Sequence, residues 1–291
     1  MLTHSETTPK KPERVVAIGA RGFIGRVLMR RLEASGIPAL GLTSQDLDLA
    51  APGAGDALAA KFKPGDAVVF LSAITPDKGR DRATLMRNLA MANAVCAAIE
   101  KQPPAHVVYV SSDAVYPFGN GLVNEETPAV PTDLYGAMHS TRELMVRGAA
   151  KCPVVVLRPT LVFGAGDTHS SYGPNRFRRL AAKDKKITLG GAGEETRDHI
   201  YVEDVAALIK AVLLHRSAGL LNLVTGESHS FDAIARMVAA QFTVPVEVAH
   251  SARNGAITYR HFDNTALRKA FPAFHFTPLA EALKAAQADL T

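Results

Sequence analysis

The chain has 291 residues, which is about two typical domain lengths, although one large α/β domain would also fit. Hydrophobic residues make up 47% of the chain and charged residues 21%, a balance that excludes a disordered or fibrous protein. The net charge of +5 is compatible with small anionic ligands or with a polyanion, and is too small to choose between them.

The N-terminal sequence and the cysteine content indicate the cellular compartment of the protein. Residues 1–13 are polar, lack the apolar stretch of a signal peptide, and are expected to form a flexible tail. No apolar run approaches the roughly 18 residues that a membrane helix needs. The two cysteines, Cys96 and Cys152, cannot form a disulfide framework. We therefore expect a soluble, cytoplasmic protein with no membrane partner.

Short apolar runs alternate with amphipathic stretches from Arg14 onward. The run at 14–18 is typical of a strand buried on both faces, and 23–34 has apolar residues at helical spacing before Gly36. Further strands are predicted at 38–42, 67–73, 106–111, 154–157 and 220–224, and further helices at 82–100, 134–150 and 205–215. This alternation predicts an α/β fold with a doubly wound parallel sheet.

A glycine-rich loop joins the first predicted strand to the first predicted helix. It reads Gly19-Ala-Arg-Gly22-Phe-Ile-Gly25, with glycines where the chain turns, where the backbone approaches a pyrophosphate, and where the helix packs on the strand. The N–H groups and the dipole at the helix start would bind the phosphates. The spacing differs from G-x-G-x-x-G, so the interpretation depends on the strand–loop–helix context. The predicted dinucleotide contacts here are Gly19, Arg21, Gly22, Phe23, Ile24 and Gly25.

The choice between NAD and NADP depends on the end of the second predicted strand. An acid about 20 positions after the loop would bind the adenosine ribose, and counting selects Asp46 or Asp48. The strand itself ends at 42–44 without an acid. A hydroxyl at Ser44, together with Arg21, suits a 2′-phosphate better than a 2′-hydroxyl. We therefore expect an NAD(P) cofactor with a slight preference for NADP.

The strand–helix alternation ends after Phe163. Residues 164–193 are rich in glycine, polar and basic residues, and 231–291 is predicted to be mostly helical. We assign a dinucleotide-binding Rossmann domain to 14–165 plus 203–228. A smaller, mostly helical substrate-binding domain is assigned to 166–202 plus 229–291.

Several motifs occur in an order that carries a family resemblance. Ser111-Ser112-Asp113-Ala-Val-Tyr116 follows a predicted strand, and Tyr135-Gly-Ala-Met-His139 begins a helix. The other motifs are the glycine loop, Leu47-Asp48-Leu49, Asn88, Leu157-Arg158-Pro159, Gly173-Pro-Asn-Arg-Phe177 and Arg197-Asp-His-Ile-Tyr-Val-Glu-Asp204. From Arg14 onward the chain resembles the extended short-chain dehydrogenase/reductases, the NAD-dependent epimerase/dehydratase family, which acts mainly on nucleotide sugars. The cofactor contacts that this resemblance adds are Asp48, Leu49, Leu71, Ser72, Ala73, Asn88, Tyr135 and His139.

The resemblance also implies three catalytic residues. In the family a tyrosine moves the proton while a hydride moves to or from the nicotinamide, and Tyr135 matches that acid/base. Ser112 matches the hydroxyl that holds the reacting oxygen. The family has a lysine four residues after the tyrosine, where it binds the nicotinamide ribose and lowers the phenol pKa from about 10. This chain has His139, which shares a helix face with Tyr135. We predict that His139 substitutes for the lysine, with altered chemistry or an inactive fold as alternatives.

On the substrate side the resemblance implies contacts from Asp113, Asn175, Arg176 and Arg197. Ala114 stands where the dehydratases usually have a glutamate, so dehydration is disfavoured. Residues 42–49 resemble the deoxysugar 4-ketoreductases, whereas 172–177 and 197–204 resemble the epimerases. Leu161 stands where many relatives have an asparagine that contacts the nucleotide.

Together these features predict an NAD(P)-dependent sugar-nucleotide epimerase or 4-ketoreductase that forms a homodimer, as its family commonly does. The alternative is a catalytically impaired dinucleotide-binding regulatory or scaffold protein. The histidines at 169, 199, 215 and 229 lack metal-ligand spacing, so no metal is assigned. Without tryptophan or an aromatic and basic stacking platform, no nucleic-acid partner is expected.

Overall fold

A computed structural model describes residues 2–119, 121–167 and 173–290. In chain order its strands are β1 Thr3–His4, β2 Arg14–Ile18, β3 Ala39–Leu42, β4 Asp66–Phe70, β5 His106–Val110, β6 Leu122–Val123, β7 Val154–Pro159, β8 Leu161–Phe163, β9 Lys186–Gly190, β10 Thr196–Tyr201, β11 Ser217–Leu223, β12 Ser228–Ser230, β13 Glu247–Ser251 and β14 His261–Phe262. The helices are α1 Phe23–Ala34, α2 Ala54–Ala59, α3 Arg82–Lys101, α4 Leu134–Ala149, α5 Gly173–Asp184, α6 Val202–Leu214, α7 Phe231–Ala239, α8 Thr265–Ala270 and α9 Leu279–Ala285. One 3₁₀ turn, Asp113–Val115, precedes α4, and another, Ala286–Asp289, follows α9.

By their contacts the described residues fall into two compact units. The first comprises residues from 1–117, 127–159 and 205–223, and the second comprises residues from 118–126, 160–204 and 224–291. The chain therefore divides at 159/160, 204/205 and 223/224. It also contributes 118–126 to the second unit, which the sequence analysis did not anticipate.

A seven-stranded sheet forms the centre of the first unit, in the order β1-β11-β7-β5-β4-β2-β3. All pairs from β11 to β3 are parallel. Strands β4 and β5 are buried at every position, as their continuous apolar runs predict. In this sheet β3 lies on one side of β2 and β4 lies on the other side. The direction in which successive strands are added therefore reverses between β2 and β4. This topology confirms the predicted doubly wound α/β fold.

Helices α2, α3 and α4 supply apolar side chains to one large core cluster with the sheet. Val95 and Ile99 of α3 and Val146 of α4 pack there with Val68 and Tyr109 of the strands. Cys96 belongs to the same cluster at 7% exposure, as a small buried side chain. Packing on this sheet fixes the rotation of α4, the helix that carries Tyr135.

The N-terminal segment differs from the flexible tail expected from its polar sequence. Thr3 and His4 pair antiparallel with Ala218 and Ser217 at the edge of the sheet. The backbone N–H of Glu6 donates to the His215 carbonyl at 3.1 Å, and that of Lys10 donates to Leu214 at 2.8 Å. Backbone pairing rather than apolar burial holds this segment, and no side-chain periodicity reveals such pairing.

The second unit contains strands as well as helices, so the structure does not specifically show the mostly helical domain that the sequence predicts. Its strands form three small sheets, β12-β10-β8, β13-β9 and β14-β6. They are short, and β13 and β12 contain no fully buried residue. Strands β12 and β13 therefore lack the alternation of buried and exposed residues that identifies a strand from sequence, whereas β9 has it.

None of the helices within 2–119, 121–167 and 173–290 combines the length and apolar character that crossing a bilayer requires. In the same residues no three His, Cys, Asp or Glu side chains are grouped so that they could hold a metal ion.

Candidate active site

The glycine loop lies at the carboxyl end of β2, and each of its glycines has a different structural role. Gly19 has φ +102°, and a Cβ there would lie 2.8 Å from Ser72 Oγ, in the segment that follows β4. A Cβ at Gly25 would lie 2.1 Å from the Gly19 carbonyl oxygen. Gly22 caps α1 with no side-chain hydrogen bond, and the first turn has no acidic residue. The loop thus offers a tight turn and an uncapped helix start at the switch point of the sheet, which fits a dinucleotide pyrophosphate.

The end of β3 lies beside this loop. The N–H groups of Gly19 and Ala20 both donate to the Leu42 carbonyl, at 2.9 and 3.1 Å. Arg21 and Ser44 are exposed, and Arg21 donates to the Gln45 side chain. Ser44 and Arg21 are therefore accessible to solvent at the position where the sequence predicts that the adenosine ribose binds.

The two acids considered for the ribose are engaged locally. Asp46 accepts hydrogen bonds from the Thr43 hydroxyl at 2.7 Å and the Thr43 N–H at 2.9 Å, and these bonds lower the pKa of Asp46. Asp48 accepts from the Ala50 N–H at 3.0 Å and forms an exposed ion pair with Arg87 at 3.0 Å. The neighbouring Leu49 is buried in the core.

Asn88 holds the segment that follows β4. Its side chain accepts from the Ile74 N–H at 2.9 Å and donates to the Ile74 carbonyl at 3.0 Å, and the residue is 2% exposed. This clamp fixes Leu71, Ser72 and Ala73, each of which is partly exposed. Because the oxygen and the nitrogen of its side-chain amide both bind the backbone of Ile74, Asn88 stabilises the segment that contains these predicted cofactor contacts.

Ser112 and Ser111 point to different surroundings. Ser111 is buried and donates from Oγ to Glu143 Oε1 at 2.6 Å, whereas Ser112 is partly exposed and caps the 3₁₀ turn by accepting from the Ala114 N–H at 3.1 Å. Asp113 is 5% exposed in that turn. Of the two serines, Ser112 is the one whose hydroxyl can reach a ligand.

Helix α4 begins directly against this turn. Asp133 caps it by accepting from the Gly136 N–H at 2.8 Å. A Cβ at Gly136 would lie 2.2 Å from the Ala114 carbonyl oxygen, so only glycine permits this approach. Tyr135 precedes that glycine and is partly exposed. The close contact therefore places Tyr135 beside the turn that carries Ser112.

His139 lies one turn further along α4 and is enclosed. It is 2% exposed, its Nδ1 lies 2.7 Å from the Tyr109 hydroxyl, and its Nε2 is buried with no partner among the described residues. Its ring meets the Tyr135 ring edge-on, with centroids 4.7 Å apart. Burial and then the charge of Arg142 place the pKa of His139 well below its usual value. The imidazole is therefore neutral at pH 7, and a direct bond to a nicotinamide ribose would require it to move.

A buried ionic network beside this site was missing from the predicted site residues. Glu143 accepts from Arg158 Nε at 2.9 Å and Nη2 at 2.6 Å, and both side chains are about 5% exposed. Arg158 also donates to the Tyr116 hydroxyl at 2.7 Å, which donates to Asn222 at 2.9 Å. The network joins α4, β7, the turn and β11, so it holds the Ser112 turn and the Tyr135 helix in one arrangement.

In the second unit the predicted substrate residues have different surroundings. Asn175 is 7% exposed, accepts from the Gly164 N–H and donates to the Val162 carbonyl, both at 3.1 Å, so it supports the backbone. Arg176 is exposed. Tyr172, in the segment that resembles the epimerases, and His169 lie outside the described residues.

Arg197 is buried at 8% exposure and is held within this unit by backbone and aromatic contacts. Its guanidinium donates to the Thr258 and Thr196 carbonyls, both at 2.7 Å, and lies 4.8 Å from the Phe118 ring centroid. Arg260, which the sequence analysis did not select, lies 4.1 Å from the same centroid. The two guanidinium groups therefore share one aromatic ring, an arrangement suited to an anionic group.

A cavity of about 260 Å³ also lies within the second unit. His199, Tyr201, His229 and Phe276 are among its lining residues. Burial lowers the pKa of His199 to about 3, so it is neutral there. None of the predicted substrate residues is part of its lining.

Comparison with known proteins identifies the family. A model of the NAD dependent epimerase/dehydratase family matches residues 15–224. The chain belongs to this family. The match covers the glycine loop, the Ser112 turn, Tyr135 and Arg197, and confirms the resemblance drawn from the motifs.

Three similar proteins illustrate the range of this epimerase/dehydratase family. The chain is 30% identical over 234 residues to a dTDP-4-dehydrorhamnose reductase of Mycolicibacterium smegmatis, covering 76% of this chain and 67% of that protein. Its fold matches a GDP-l-fucose synthetase from Naegleria fowleri bound to NADP, with TM-score 0.84, 17% identity, and coverage of 97% and 94%. It also matches the UDP-glucose 4-epimerase of Thermus thermophilus in complex with NAD, with TM-score 0.81, 21% identity, and coverage of 95% and 98%.

Proposed function

We propose that this protein is an NAD(P)-dependent epimerase or 4-ketoreductase that acts on a nucleotide-activated sugar. The observation that carries the proposal is the packing of Gly136 on Ala114, which places Tyr135 beside the Ser112 turn. The Ser112 turn follows β5 of the same sheet whose glycine loop fits a dinucleotide. The family match and the similarity to sugar-nucleotide enzymes support the same conclusion.

Each residue then has a defined part. The glycine loop and the start of α1 bind the pyrophosphate, and the bound dinucleotide supplies or accepts a hydride at a sugar carbon. Ser112 donates to the reacting sugar oxygen and orients it. Tyr135 gives a proton to that oxygen when a ketone is reduced, or takes it when a carbinol is oxidised. Asp113 contacts the sugar, and Arg176 and Arg197 contact the nucleotide, whereas Asn175 supports the backbone at Val162 and Gly164.

Turnover of the purified protein tests this function. With NADPH and a 4-keto sugar nucleotide, a reductase consumes the reduced cofactor stoichiometrically; with NAD and a nucleotide sugar, an epimerase changes the sugar without net cofactor consumption. Tyr135→Phe should lower kcat by about 100-fold or more, because the proton donor is lost. Tyr201→Phe is the matched control and should retain kcat. No turnover of any sugar nucleotide would contradict the proposal and favour the impaired regulatory or scaffold protein, an alternative that the neutral His139 supports.

We also propose a preference for NADP over NAD. Arg21 and Ser44 are exposed beside the glycine loop, whereas the Asp46 carboxylate is bound to Thr43. A guanidinium and a hydroxyl suit a phosphate, and the engaged acid is less available to a 2′-hydroxyl.

A homodimer is proposed from the surface of α3 and α4. These helices pack on each other and carry large exposed apolar residues, Met86 at 58%, Leu134 at 42% and Leu144 at 70%. Large exposed apolar side chains on two packed helices favour association. Light scattering after size-exclusion chromatography should give twice the chain mass, and Leu144→Glu should give the monomer. A wild-type monomer would contradict the proposal.

A further inference from the structure

Arg142 shares one face of α4 with Tyr135 and His139. The three residues are separated by four and three positions, so they lie in a row along the helix. Arg142 is fully buried, and its guanidinium lies 5.0 Å from the Phe70 ring centroid. The end of this row is therefore a cation inside the core of the first unit.

The hydrogen bonds of Arg142 are all to neutral acceptors. Its guanidinium donates to the Ser72 carbonyl at 2.8 Å, to the Asn88 carbonyl at 3.0 Å from Nε, and to the Asn88 side-chain oxygen at 3.0 Å. Among the described residues no carboxylate pairs with it; the neighbouring Glu143 is paired with Arg158 instead. Burying an unpaired charge is costly, so its retention needs a reason beyond packing.

The charge of Arg142 acts on the groups around it. Burial lowers the pKa of Arg142, while the interactions with Tyr109 and with Tyr135 raise it. Arginine stays protonated because its unperturbed pKa is far above neutral. His139, between Arg142 and Tyr135, is neutral because burial and Arg142 both lower its pKa. The cation that acts on Tyr135 from this row is therefore Arg142 and not His139.

The other titratable groups on the packed elements leave this charge uncompensated. Burial raises the pKa of Tyr109 on β5, and raises the pKa of Cys96 on α3 to about 11, so both are neutral at pH 7. Glu143 is paired with Arg158, and two acids, Asp113 in the 3₁₀ turn and Asp133 at the N-cap, lie on the side where α4 begins.

We propose that Arg142 is a positioning residue that supplies the fixed positive charge favouring the phenolate of Tyr135, the work that a lysine at position 139 does in the family. His139, bound to Tyr109, fills the space between the charge and the tyrosine ring. The same guanidinium fixes the backbone at Ser72 and the side chain of Asn88, two predicted cofactor-side residues. The inference rests on the proposed acid/base role of Tyr135.

Tyrosinate absorbance tests this without any turnover. The chain has six tyrosines and no tryptophan, so the difference between the titrations of the wild type and of Tyr135→Phe isolates Tyr135. The wild-type midpoint should lie below the ordinary phenol value of about 10. Arg142→Met should raise it by at least about one pH unit, a tenfold change in the ionisation constant. Arg147→Met, an exposed arginine on the same helix, should leave it unchanged. Circular dichroism at each pH confirms that the fold persists.

A second cation at position 139 provides the rescue. In the double variant His139→Lys with Arg142→Met, the lysine restores a positive charge beside Tyr135, and the midpoint should return to the wild-type value. A purely structural role for Arg142 predicts no return. If Arg142→Met does not fold, Arg142→Lys keeps the charge and should keep the midpoint.

Two results would overturn the inference: a wild-type Tyr135 midpoint at or above the ordinary value, or a folded Arg142→Met variant that titrates like the wild type. Neither result depends on the substrate. A lowered midpoint in a protein that turns over no sugar nucleotide would contradict the proposed function and leave the role of Arg142 in place.

Discussion

At the scale of single residues, positions 139 and 142 of α4 depend on each other. A lysine at 139 would stand one turn from the buried Arg142 guanidinium, and two cations in one apolar space repel strongly. A neutral imidazole that bonds to Tyr109 fits beside that charge. The histidine that departs from the family pattern is thus explained by the arginine three residues later.

Arg21 provides the test of the proposed NADP preference at the same scale. Arg21→Met should weaken NADPH binding by about tenfold or more and leave NADH binding nearly unchanged, because a charge-assisted bond to phosphate is lost. Titration calorimetry with both cofactors measures this. Arg26→Met, an exposed arginine of α1, is the control. Tighter binding of NADH than NADPH by the wild type would contradict the NADP preference.

At the scale of secondary-structure elements, the contact between α4 and the Ser112 turn sets the geometry of the site. Gly136→Ala puts a methyl group 2.2 Å from the Ala114 carbonyl oxygen, so the helix must move away. We expect kcat to fall by about tenfold to 100-fold, since a shift near 1 Å is enough for that loss.

Gly148, near the other end of α4, is the matched control for this change. A Cβ there meets nothing within 4 Å. Gly148→Ala should retain kcat and raise the free energy of unfolding by about 0.5–1 kcal/mol. Equal kcat for the two alanine variants would show that the close approach does not position Tyr135.

The Glu143–Arg158 pair joins α4 to β7. Glu143→Gln leaves the buried guanidinium of Arg158 without its counter-charge, and the free energy of unfolding should fall by about 3–5 kcal/mol. Urea denaturation measures this. Asp56→Asn breaks an exposed pair with Lys101 and should cost less than about 1 kcal/mol. Similar losses for both variants would mean that burial does not strengthen the inner pair.

At the scale of the whole molecule, buried histidines make stability dependent on pH. Burial lowers the pKa of His106 to about 4 and that of His199 to about 3. Below about 6.5 the unfolded chain takes up protons that the folded chain refuses, so stability should fall as pH decreases from 6.5 towards 4. Each histidine contributes a slope of up to about 1.4 kcal/mol per pH unit.

Urea midpoints between pH 7 and pH 4.5 measure this dependence. His106→Gln can still donate to the Ser217 carbonyl, which His106 Nε2 reaches at 2.7 Å, and it does not titrate. The slope of this variant should be smaller by one histidine's contribution. An unchanged slope would mean that His106 does not stay neutral in the fold.

How far the sequence predicts this molecule depends on the kind of interaction. The bounds of β2 and α1 follow from apolar periodicity alone, because packing on both faces of the sheet imposes it. The glycine loop follows from its spacing between a strand and a helix, whereas Ser112 and Tyr135 follow from the resemblance to the family. Arg142 and Tyr109 are 33 residues apart in sequence (142 − 109), and only their packing around α4 relates them. Asn88 and Asn175 could not be distinguished from ligand contacts, since their amides bind backbone that is distant in sequence.

The pairing of β1 with β11 has a consequence for the aggregation of the protein in concentrated solution. Thr3 and His4 pair with Ala218 and Ser217 only, so they cover the first two residues of β11. Without them, the backbone donors and acceptors of these two residues would be open to pairing with another extended chain. The pairing therefore protects this end of β11 from edge-to-edge association.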